Sequence, residues 1–144
     1  LQAIQVRKEL TDEWQDKGIH KGIEYAILTD EITKAWSGMT TKQYKQLKGL
    51  KKENLRDNMS TAEIVLNMLA EVSTTEISKT SNPQTFEENK RAAKNGGEVA
   101  GNARRDIERR TGKPIITSQN AAQLNNVVTD LIESVANDDN EKKN

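Results

Sequence analysis

The chain has no cysteine, two prolines, one phenylalanine and one histidine, and its charges sum to zero. Each shortage removes a class of explanation. Without cysteine there are no disulfides, thiolate nucleophiles or cysteine-based metal sites. His20 is all that remains for imidazole chemistry, and no second histidine or carboxylate stands at metal-ligand spacing from it, so it reads as a solvated loop residue. Aromatic residues make up 3% of the chain, too few for a sandwich or barrel, whose strands need aromatic and β-branched side chains. With 22 basic against 22 acidic residues, attraction to nucleic acid or anionic lipid has to come from local patches. No apolar run approaches the roughly 20 residues that span a bilayer and no signal peptide is evident, so a cytoplasmic protein without membrane contact is expected.

What is present are helix formers and the residues of caps and loops: Ala, Glu, Lys, Gln, Asn and Leu. They predict an all-α fold, a compact multi-helix domain of five to seven helices with no significant sheet. The 144 residues suit one domain with its own core. We expect that domain over 1–137, followed by a disordered tail over 138–144, which holds only Asn, Asp, Glu and Lys. The start at Leu1, with no initiator methionine and a helical pattern under way, reads as a fragment of a longer polypeptide.

Ala3, Val6, Leu10 and Trp14 recur at helical spacing and predict a first helix ended by Gly18. The stretch 18–28 is ambiguous between strand and helix. Thr29 is expected to cap a short helix bearing Ile32, Ala35 and Trp36, which Gly38 stops, and Thr40 with Gln43 forms a capping box for the next. The layout is that of a weak helix-turn-helix. The best-marked helix start is Ser60-x-x-Glu63, with Met59 and Ile64 in the hydrophobic-staple positions. Val65, Met68, Leu69, Val72 and Ile77 are expected on the buried side of the helix that follows. Thr85 with Glu88 supplies another capping box. A last helix, capped by Thr117 or Ser118, should bear Leu124, Val127, Val128, Leu131 and Val135.

Three features bear on function. The cations Lys42, Lys45, Lys48, Lys51, Lys52 and Arg56 face only Glu53 in sequence and form a candidate phosphate-tracking strip. A second cluster, Arg104, Arg105, Arg109, Arg110 and Lys113, is diluted by Asp106 and Glu108, which favours pairing along a helix face. Between Ala92 and Ala103 lie Gly96, Gly97 and Gly101, each costing about 1 kcal/mol in a helix relative to alanine. They are explained by a close helix contact along Gly97, Gly101 and Ala103, by a helix break at Asn95-Gly96, or by backbone amides meeting a phosphate. Packing is preferred, because dinucleotide and P-loop spacings are missing. No triad, nucleophile elbow or Walker pattern appears, so no catalytic residue, metal, cofactor or small-molecule substrate is expected.

Four segments resemble a known family: Ile4-Gln-Val-Arg-Lys-Glu-Leu10, Tyr25-Ala-Ile-Leu-Thr29, Gly49-Leu-Lys-Lys-Glu-Asn-Leu-Arg-Asp-Asn-Met59, and Gly96-Gly-Glu-Val-Ala-Gly-Asn-Ala-Arg-Arg105 with Thr111-Gly-Lys-Pro114. Together they resemble the C-terminal region of the DNA-damage-inducible protein D family and of related phage antirepressor proteins that begin with a BRO-type domain. The resemblance implies that a preceding BRO-type domain is the DNA-binding element. It also implies a non-enzymatic role in the damage response or in prophage regulation, through DNA or a DNA-bound protein such as a recombinase filament or phage repressor. The alternative is an oligomerisation or docking scaffold, a homo-oligomer included, with no nucleic-acid contact.

Overall fold

Residues 2–121 and 131–136 are described in a computed structural model, and they contain helices and no strand. Five α-helices run in the order α1 (Gln2–Asp16), α2 (Gly22–Ser37), α3 (Thr41–Leu47), α4 (Thr61–Ser81) and α5 (Phe86–Thr111), with a single 3-10 turn at Arg56–Asn58. Residues 131–136 are also helical. Of the expected last helix, Leu124, Val127 and Val128 lie outside the described residues, as does the tail 138–144, while Leu131 and Val135 are exposed. No described helix is long and apolar enough to cross a membrane.

The helix ends follow local chemistry. Gly18 closes α1 at φ +89°, where the Gly18 amide donates to Gln15 O and the Ile19 amide to Trp14 O, so that orphan carbonyls are satisfied and Ile19 folds back into the core. Gly49 repeats the device after α3, with the Leu50 amide bonded to Lys45 O. Both expected boxes at Thr40–Gln43 and Ser60–Glu63 form with both arms. At Thr85 only one arm forms: Thr85 Oγ1 accepts from the Glu88 amide, but Glu88 Oε2 reaches past it to the Gln84 amide.

Two expectations are corrected. Thr29 is no cap, since α2 starts at Gly22 and absorbs the ambiguous stretch. Thr29, Thr33 and Ser37 instead turn their hydroxyls back onto carbonyls four residues earlier, which satisfies them inside a helix. The buried side of α4 is also not the apolar one. Val65 is 56% exposed, Leu69 36% and Val72 41%, with Met68 and Ile77 half-buried. Inward go Leu66 and Ala70 with Glu63, Glu71, Thr74, Thr75 and Ser78. α4 packs between α1 and α5, closest at Thr74, whose Cα would lie 2.6 Å from a Cβ on Gly96, and the polar groups of its inner face all find partners. Thr74 and Thr75 satisfy themselves on Ala70 O and Glu71 O, and Ser78 donates to Glu13 Oε2.

The glycines explain α5. It runs unbroken through Gly96, Gly97 and Gly101, all buried, and packs against both α4 and α2. A Cβ on Gly96 would sit 2.6 Å from Thr74 Cα, one on Gly97 2.7 Å from Ile32 O, and one on Gly101 2.6 Å from Ala35 O. This is the preferred packing reading, made between elements of one chain.

Candidate nucleic-acid interface

The basic stretch 42–56 runs along α3, the Gly49 turn and the 3-10 turn, and the structure divides its six cations into three kinds. Lys48 points inward. Its ammonium donates to Glu63 Oε1 (3.0 Å), Thr117 O (2.9 Å) and Gln119 O (2.6 Å), and the residue is 1% exposed. The ring of Tyr44 lies 5.8 Å from it, and the Tyr44 hydroxyl donates to Glu63 Oε2. A buried ammonium costs several kcal/mol unless paired and fully hydrogen-bonded, and here all three protons find acceptors. Burial first, and then the bond to Glu63, push the Tyr44 phenol well above its ordinary value. Lys48 is therefore a structural cation that ties the end of α3 to the start of α4 and to the strap after α5; it is removed from the surface strip.

Arg56 is intermediate. Its Nη2 donates to Glu71 Oε2 (2.6 Å), which also takes Arg7 Nη1 (3.1 Å), while Arg7 Nη2 donates to Thr29 Oγ1 and its guanidinium stacks 5.3 Å over Trp14. Glu71 is 2% exposed, so one buried carboxylate serves two guanidiniums. Lys42, Lys51 and Lys52 are exposed and Lys45 is half-buried. Among the described residues none of these four ammonium groups has a hydrogen bond or ion pair. Glu53 turns its carboxylate to the Lys51 amide (2.6 Å), and backbone amides, its own first, hold its pKa below the ordinary value.

The second cluster is largely spent within the fold. Arg104 donates to Trp36 O and Glu108, Arg105 to Asn102, and Arg109 and Arg110 both to Asp106, with Lys113 exposed beyond the helix. Of the expected helix-contact face, Gly97 and Gly101 are buried and Ala103 half-buried, occupied by the chain's own α2. Sequence reasoning missed the two buried carboxylates of α4. Glu63 carries the signature of a capping residue and nothing more, and Glu71 has one signal available, its place beside Ala70 and Thr74.

The helices define an all-α domain, and among the described residues the stretch 42–52 leaves four lysines unpaired. The family follows from comparison: the model of the DinD C-terminal domain matches residues 2–125, and the chain belongs to this family of DNA-damage-inducible proteins. No curated protein and no solved structure matches it.

Proposed function

We propose that this domain is a non-enzymatic interaction module of the damage response or of prophage regulation. It acts through Lys42, Lys45, Lys51 and Lys52 on DNA or on a DNA-bound protein such as a recombinase filament or repressor. The observation that carries the reading is that these four ammonium groups lack partners among the described residues, whereas the arginines of the second cluster have them. Unpaired cations on one face release counterions when they meet phosphates. Reversing Lys45, Lys51 and Lys52 to glutamate should weaken DNA binding and flatten its dependence on log salt by up to about 3 for duplex, at roughly 0.9 for each phosphate no longer neutralised. Unchanged affinity and slope, for bare DNA and for DNA coated with recombinase, would sink the proposal.

The alternative, self-association, draws on the exposed apolar stripe Val65, Leu69 and Val72 of α4. Leu69→Glu should then lower the mass seen by light scattering. An unaltered mass removes that reading.

A further inference from the structure

The hollow between α2, α3 and the 3-10 turn has a volume of about 200 Å³, with Thr41, Lys45 and Arg56 at its polar side and Ile32, Leu55 and Met59 lining it with carbon. We infer that it seats one phosphodiester group of a bound nucleic-acid strand, the phosphate against Lys45 and Arg56 and the sugar against the apolar lining. This rests on the nucleic-acid reading above and gives it a specific contact.

Charge carries the argument. Glu71 is the one carboxylate among the described residues of the wall, and Arg7 and Arg56 both bond to it, so the group of three keeps one positive charge. Lys45 adds a second that no described carboxylate answers. The surplus is also held in place. Arg7 is held by Thr29 and Trp14 and shares Glu71 Oε2 with Arg56, whose planar fork has five donors and spends one on Glu71. A guanidinium pinned this way loses little freedom on taking up an anion. Arg7 does not line the hollow and acts as a positioning residue. A strand fits better than a single small anion, because Thr41 and Lys45 also line a neighbouring hollow that holds Lys42 and Lys51. Cationic groups thus continue past the seat, as a chain of phosphates requires.

The test compares Lys45→Gln with Lys52→Gln, a substitution of an exposed lysine outside the hollow, by fluorescence anisotropy on single- and double-stranded DNA. Wild type is titrated in parallel with inorganic phosphate and with hexaglutamate while the Arg56 Nε–H signal is followed by NMR. The expected result is about a tenfold loss of DNA affinity for Lys45→Gln against about twofold for Lys52→Gln. Phosphate should also shift Arg56 Nε–H saturably, and DNA alone should shift the same signal and weaken the apparent affinity for phosphate. Equal losses from the two variants, with the Arg56 signal unmoved, overturn the seat and leave the wider reading standing. No loss from either overturns the seat, and the triple reversal on bare and on recombinase-coated DNA then decides the wider reading. A larger response to hexaglutamate than to phosphate also overturns the seat, in favour of an acidic peptide. If Lys45→Gln unfolds, the wild-type phosphate titration alone decides.

Discussion

Replacing Gly97 by alanine sets two effects of opposite sign against each other. In an exposed helix interior the change stabilises by about 1 kcal/mol, because glycine gives up more backbone freedom on folding. Here the new methyl would lie 2.5 Å from Ala35 Cβ and 2.7 Å from Ile32 O. Both neighbours are fixed to the α2 backbone and neither can rotate away, so the helices must part by about 1 Å to restore ordinary contact at the tighter of the two. A gap of that size forfeits roughly a quarter to a half of the dispersion well for each atom pair along the seam. Overpacking of this kind costs about 1–3 kcal/mol, and with rigid neighbours on both sides the upper figure applies. The net expectation is a loss of about 2 kcal/mol, or about 8 °C in Tm for a domain of this size. Gly22→Ala is the control: it also lies in a helix, but nothing is within 4 Å of its Cβ position, so stability should rise by a few tenths to about 1 kcal/mol. Urea unfolding followed by far-ultraviolet circular dichroism reads both. A Gly97→Ala midpoint at or above wild type would refute the close approach of α2 to α5.

Lys48→Met removes a buried cation and leaves the Glu63 carboxylate uncompensated, so a loss of about 3–5 kcal/mol is expected, and adding Glu63→Gln should recover part of it; a loss under about 1 kcal/mol would show that Lys48 is not buried. The Tyr44 phenol keeps its proton in the folded state above the ordinary value of 10.0, whereas the unfolded chain gives it up there. That part of the stability is fully present below pH 10 and drains away as pH rises beyond it. In a Tyr25→Phe background, where Tyr44 is the one tyrosine left, ultraviolet titration should show tyrosinate appearing only together with unfolding; a reversible signal from that folded variant near pH 10 would contradict this. Substituting Val65, Leu69 or Val72 by glutamine should each alter stability by no more than about 0.5 kcal/mol. A loss of 2 kcal/mol or more at any of them would place that side chain in the core.

The helix count, most helix ends and the glycine seam were legible because each is written locally, in a capping pair, a terminal glycine or a run of small residues. What was not legible depended on partners from other helices. Hydrophobic periodicity assumes that a helix buries its largest apolar side chains, whereas α4 turns inward Glu63, Glu71, Thr74, Thr75 and Ser78 beside Leu66 and Ala70, because α1, α3 and its own carbonyls supply partners for the polar groups. Composition treats every lysine in a basic run alike, yet Lys48 is drawn inward to Glu63 while Lys45, one helical turn earlier, is half-buried with its ammonium unpaired. The two misreadings share a cause. Glu63 and Glu71 are buried carboxylates on α4, and each draws in a cation from the basic stretch: Glu63 takes Lys48 whole, and Glu71 holds Arg56 halfway. The polar inner face of α4 therefore decides which charges of the stretch are left for a partner. A run of six cations becomes four open lysines and one pinned arginine, and the half-buried Lys45 is the lysine that shares a hollow with that arginine.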